Sequence, residues 1–175
     1  MGEEGDDREA AFYTAALRAG YVMALVIWAY LVHWSAPYGR HKAMAGGSVL
    51  ARWAIIPSRW AWAIMESPSL FLTPFVFSKG RYASHGTPRI FISFFVLHYV
   101  NRVLIYPFRI KPSSSDPRNM PLSIFISAFV FNVYNAYIQG RGLSHYNLYG
   151  PEWSRSRVFA CGAVLFLVGM AINVW

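Results

Sequence analysis

Five apolar stretches, each long enough to cross a bilayer, leave this chain of 175 residues little room for a water-soluble core. They lie at about 10–34, 53–77, 88–108, 119–138 and 157–175. About 20 residues rising about 1.5 Å each bridge a hydrocarbon layer about 30 Å thick. In that medium each backbone N–H and C=O must be satisfied inside its own segment, which a helix does and a lone strand cannot. Composition agrees, with 55% hydrophobic and 14% charged residues, against about 25% charged in a typical soluble domain. The expected fold is an all-α, polytopic transmembrane bundle of about five spans, with an acidic tail over 1–9 and the membrane region over 10–175.

Charge is informative mainly through its arrangement. The net charge of +8 comes from Lys and Arg scattered singly between apolar runs. Nucleic acid, which calls for a basic stripe, is therefore not an expected partner. Anionic lipid headgroups or a phosphate-bearing cofactor fit better. The acidic start (Glu3, Glu4, Asp6, Asp7, Glu9) lacks the positive charge of a cleavable signal peptide, so the first run is expected to remain as an anchor. Basic residues do not orient the bundle: the loops on one side hold seven and those opposite hold six. The last run reaches Trp175 with no polar flank. That stop is expected to be a cut through a larger bundle, a short final span being the alternative.

Glu66 is the only carboxylate between positions 10 and 115, and it lies in the Trp-rich segment Trp60–Ser69. A carboxylate at membrane depth is expensive and marks a functional site by default. Desolvation should favour its protonated form, although Pro68 leaves room for an interfacial Glu66 that faces water. In the third run, His98, Tyr99, Arg102, Tyr106 and Arg109 share one side of a helix. Arg109 can snorkel from the helix end. Arg102 lies deeper and must meet an anion, either Glu66 or a ligand phosphate. The fourth run carries Asn132, Asn135 and Gln139 at i, i+3 and i+7, and the fifth carries Asn173. Such amides either glue helices together or line a polar cavity.

Other chemistries lack their parts. The chain contains no HExxH, CxxC, GxSxG, P-loop or GxGxxG, and its five histidines are dispersed. The lone Cys161 cannot form an intrachain disulfide. No metal is expected.

The segments Ala36–His41, Ala61–Ser69, His98–Arg109, Asn135–Gly140 and Gly169–Val174 resemble, in order and spacing, motifs of the steroid 5α-reductase family. The glutamate motif and the Ile-Tyr-Pro-Phe-Arg ending resemble the plant branch that serves brassinosteroid synthesis. The resemblance implies a multi-pass enzyme of the endoplasmic reticulum membrane, of about seven spans, that uses NADPH to reduce the C4–C5 double bond of 3-oxo-Δ4-steroids. It implies Glu66 and Tyr99 as the catalytic pair at the steroid C3 oxygen. It further implies Arg40, Arg102 and Asn173 as cofactor-binding residues, and Trp62 as a substrate-lining residue. Members of that family continue beyond the Gly169 motif with further cofactor-binding loops and two more spans, so the chain is expected to be truncated at its C-terminus and to turn over little alone. An inactive truncated membrane protein that binds lipid or pairs with a longer form, or a related enoyl-CoA or polyprenol reductase, is the alternative.

Overall fold

A computed structural model describes residues 3–34, 55–109 and 119–174. The chain divides into two units, residues 1–53 and 54–175. Among its described residues the first contributes one helix, α1 (Glu3–His33). The acidic segment expected to be a tail belongs to this helix, as carboxylates near a helix N-terminus are favoured by its partial positive charge. Arg8 also bonds Glu4 at 2.5 Å, one turn back.

The second unit opens with a short strand, β1 (Ile55–Pro57), which runs into α2 (Ser58–Ser78). A continuous helical run then covers Gly86–Arg109: α3 (Gly86–Val100), a wider π turn at Asn101–Ile105, and α4 (Tyr106–Arg109). Strand β2 (Asn119–Pro121) leads into α5 (Leu122–Arg141), and α6 (Arg157–Val174) comes last. β1 and β2 pair antiparallel, with Ile56 opposite Met120, and each passes from a proline straight into a helix. The clip therefore sets the starts of α2 and α5 side by side.

Four helical segments among the described residues are long and apolar enough to cross a membrane: Glu4–His33, Gly86–Arg109, Leu122–Tyr146 and Arg157–Val174. The chain is thus a multi-pass membrane protein whose described residues are predominantly helical. α2, the remaining expected span, has 21 residues but also carries Arg59, Glu66 and several hydroxyl residues. Of those polar groups, Glu66, Ser69 and Thr73 are all buried. Pro68 removes the N–H that would bond the Ile64 carbonyl, and the Ser67 hydroxyl donates to that carbonyl instead, at 2.8 Å.

α2 and α5 lie parallel. Ser69 Oγ donates to Asn132 Oδ1 at 2.6 Å, and further along both helices Gly140 approaches Thr73 and Val76. Asn132, from the amide stripe, thus joins helices. The seam is made of small residues, with Ala61, Ser69, Thr73 and Ala136 at 0% exposure. Close backbone approach of this kind is how helices pack in lipid, where no hydrophobic gradient pushes them together. A Cβ on Gly140 would stand 2.8 Å from Val76 Cγ1 and 3.0 Å from the Thr73 carbonyl oxygen. Val76 is β-branched and stiff, so the helices would have to part. Gly140→Ala should therefore cost about 1–3 kcal/mol, read as a lower unfolding temperature in detergent. An unchanged midpoint would show that the seam yields.

The connection between the apolar runs 119–138 and 157–175 begins later than their bounds imply. α5 runs to Arg141, and a second π turn covers Gly142–Tyr146. Gly140 and Gly142, a residue type unfavourable inside helices, are tolerated because tertiary contacts hold this end. Arg141 is buried and donates from Nη1 to the Lys79 carbonyl at 3.1 Å. The Tyr82 N–H donates to the Ser144 carbonyl at 2.7 Å.

Candidate functional site

α2 and the Gly86–Arg109 run lie antiparallel, and three pairs fix the register. Trp60 meets Phe108 edge to face at 5.9 Å, Trp62 meets Tyr106 at 5.6 Å, and Glu66 meets Arg102. Each step along α2 is matched by an equal step back along its partner. Trp62 and Glu66 are four residues apart on one face of α2, so both look at the segment that carries Arg102.

The Glu66–Arg102 contact is a two-pronged ion pair. Arg102 Nε donates to Glu66 Oε2 at 2.9 Å, and Arg102 Nη2 donates to Glu66 Oε1. The Glu66 side chain is 8% exposed and that of Arg102 28%. Of the two anions that the sequence left open for Arg102, the structure supplies Glu66. Such fork-to-fork pairing sets orientation as well as energy. The planar guanidinium keeps its remaining N–H donors for a second acceptor.

Aromatic rings flank the same cation. The Arg102 Cζ lies 4.8 Å from the Trp62 ring centre and 5.3 Å from that of Tyr106. The π turn bears on this arrangement. Pro107 has no N–H and its ring crowds the carbonyl four residues back, and the Tyr106 N–H bonds the Asn101 carbonyl, five residues back. Single-turn widenings of this kind concentrate at functional sites.

Tyr99 is half-buried three residues before Arg102, with its ring against Phe95 at 4.6 Å and His98 at 5.2 Å. No hydrogen bond joins it to Glu66 among the described residues. Asn173 sits apart from this cluster. It is exposed on α6, and its amide donates to the Gly169 carbonyl of its own helix at 2.9 Å. The end of α6 is nonetheless tied to α4, since Arg109 Nη1 donates to the Val174 carbonyl at 2.6 Å. Arg40 lies outside the described residues. The structure thus gathers Trp62, Glu66 and Arg102, sets Tyr99 one turn away, and leaves Asn173 elsewhere. No group of three or more metal-ligating side chains occurs among the described residues.

Gln139, the last residue of the amide stripe, borders a cavity of about 480 Å³ between α3, α5 and α6. Its other walls are largely aromatic, including Phe91, Phe94, Phe95, Phe159 and Phe166. Of this stripe, Gln139 thus borders an apolar cavity, while Asn132 joins helices.

Comparison with known proteins gives this cluster its context. Residues 118–175 match the family model described as 3-oxo-5-alpha-steroid 4-dehydrogenase. The chain is 39% identical over 155 residues to steroid 5-alpha-reductase DET2 of Solanum lycopersicum, covering 88% of this chain and 58% of that protein. It is 37% identical over 158 residues to steroid 5-alpha-reductase DET2 of Gossypium hirsutum, with the same two coverages. Against 3-oxo-5-alpha-steroid 4-dehydrogenase 1 of Bos taurus the identity is 36% over 147 residues, covering 79% of this chain and 51% of that protein. The chain thus spans between about half and three-fifths of the length of these relatives. Over the part of that length it spans, the chain is similar to steroid 5-alpha-reductases, and residues 118–175 match the family model of that activity.

Proposed function

We propose that this chain forms part of an NADPH-dependent reductase of the C4–C5 double bond in 3-oxo-Δ4-steroids, working in steroid or brassinosteroid synthesis in the endoplasmic reticulum membrane. The observation that carries this reading is the buried Glu66 fork on Arg102, one turn from Tyr99, in a chain whose relatives bear the name of that activity.

Reduction of a conjugated enone leaves negative charge on the ketone oxygen, and donors held at that oxygen lower the barrier. Glu66 and Tyr99 are assigned to this oxygen. Each must present a proton to it, Tyr99 from its phenol and Glu66 from a carboxyl that has taken one up. In the ligand-free protein Glu66 instead accepts two N–H bonds from Arg102, so its donor role requires Arg102 to give up part of that contact. Trp62 is assigned to the wall beside the substrate.

One feature of Arg102 supports a phosphate-bearing cofactor. Arg102 spends two donors on Glu66 and keeps others at a part-exposed edge. Arg102 would hold a phosphate of NADPH, and the family resemblance suggests Arg40 and Asn173 as further cofactor-binding residues. When bound, NADPH supplies the hydride for C5. Arg102 is then shared between Glu66 and a cofactor phosphate, so cofactor binding would loosen the fork and free the carboxyl for its donor role.

The test uses the chain joined to the stretch of the tomato relative that it does not span, in microsomes. A 3-oxo-Δ4-steroid should drive NADPH consumption, and a 3-hydroxy-Δ5-steroid should not, because only the enone can place charge on the C3 oxygen. Equal consumption with both steroids, or with neither, contradicts the proposal.

A further inference from the structure

We propose that Tyr106 is a positioning residue: its ring and that of Trp62 form an aromatic clamp that fixes the Arg102 guanidinium in the orientation that grips Glu66. The geometric part stands on the contacts alone; its consequence for turnover rests on the reductase reading above.

Three observations carry it. The Arg102 Cζ sits within reach of both rings, at 4.8 Å from Trp62 and 5.3 Å from Tyr106, inside the roughly 6 Å over which a cation is drawn to a ring face. The two rings meet each other edge to face at 84° and 5.6 Å. They therefore brace one another and cannot both swing away without losing that contact. The backbone then sets where Tyr106 stands. The widened turn closed by the Tyr106 N–H on the Asn101 carbonyl places Arg102 and Tyr106 on one side, and the fully buried Pro107 fixes the backbone next to Tyr106.

The clamp answers a definite need. An arginine side chain has many rotamers, and a bidentate grip on a carboxylate requires the guanidinium plane to be fixed. Glu66 contributes two hydrogen bonds but cannot alone stop the guanidinium from turning to a one-pronged contact. With Trp62 and Tyr106 against it, the cation has one favoured plane. In surroundings poor in water, a cation–ring contact is also stronger than at an exposed site. The Tyr106 hydroxyl plays no part in this clamp, so phenylalanine should serve as well.

The experiment reads the guanidinium directly. The chain with ¹⁵N-labelled arginine is placed in lipid nanodiscs, and the Arg102 side-chain signals are assigned by their loss in Arg102→Lys. A held guanidinium gives separate signals for its two terminal nitrogens; a freely turning one gives a single averaged signal. Wild type and Tyr106→Phe should both show separate signals, while Tyr106→Leu and Trp62→Leu, which keep apolar bulk but no ring face, should each show averaging. In the fused protein an unclamped guanidinium would not be held in place for its contact shared between Glu66 and a cofactor phosphate, so Tyr106→Leu should lower kcat by about three- to thirty-fold, the range that a cation–ring contact commands, and Tyr106→Phe should restore it. Separate signals in Tyr106→Leu, or averaged signals in Tyr106→Phe, overturn the clamp whatever the turnover. The predicted signal pattern in a protein whose wild type reduces no steroid supports the clamp and refutes the reductase reading.

Discussion

Replacing Glu66 by glutamine, or Tyr99 by phenylalanine, is expected to cut steroid turnover by about 10² to 10³ while leaving NADPH binding nearly intact. Both side chains are assigned to the charge that develops on the C3 oxygen, and removing one such donor typically costs that much in rate. The glutamine amide still donates, though more weakly than a carboxylic acid, so Glu66→Gln should be milder than Glu66→Ala. Glu66→Gln also releases Arg102 from a charged partner, which leaves that cation fully free for a cofactor phosphate. Turnover and NADPH affinity, measured on the same preparation of the fused protein, separate the two effects. Loss of NADPH binding in step with turnover would mean that Glu66 serves the cofactor.

Arg102→Ala is expected to injure the fold as well as the site. Glu66 is 8% exposed and accepts two hydrogen bonds from Arg102. Removing one member of a buried pair strands the other charge, at a cost of about 3–5 kcal/mol. Thermal unfolding in detergent should therefore fall well below wild type. The double variant Arg102→Ala/Glu66→Gln should recover part of the loss, because no charge is then left unpaired; this cycle isolates the pair energy. NADPH affinity should fall about tenfold or more in both variants, since a hydrogen bond to a charged group contributes about 1.5–3 kcal/mol. If the double variant were no more stable than Arg102→Ala, the pair would not be what holds these helices in register.

Much of this is legible in the sequence, for reasons that particular residues make plain. Apolar runs of span length admit few structures other than helices, so the helical bundle is a direct consequence. The cost of Glu66 and Arg102 at membrane depth limits each to few partners, and with no other carboxylate nearby in the chain their meeting is one of two outcomes. The parts that are not legible depend on backbone detail. A 3.6-residue period places Tyr106 beside Arg102, but it does not foretell the widened turn at Asn101–Ile105; Pro107 is the available hint. The family resemblance makes Trp62 a substrate wall, and its stacking on Arg102 emerges only from the antiparallel register with α4. The fourth apolar run stops at about 138, whereas the helix continues through Gly140, the close-packing point against α2. Asn173 matches a cofactor motif, yet its amide turns back to Gly169 on its own helix, a local bond that competes with any ligand.

The central claim is that the Glu66 cluster serves hydride addition to C5 of a 3-oxo-Δ4-steroid, and isotope transfer tests it most directly. The fused protein is supplied with NADPH carrying deuterium at the transferable position, and the product is analysed by mass and NMR. The account predicts a 5α-reduced ketone with deuterium at C5, formed at a rate that Glu66→Gln lowers by about 10² or more. Deuterium at any other carbon, or C5 labelling at full rate in Glu66→Gln, would contradict it.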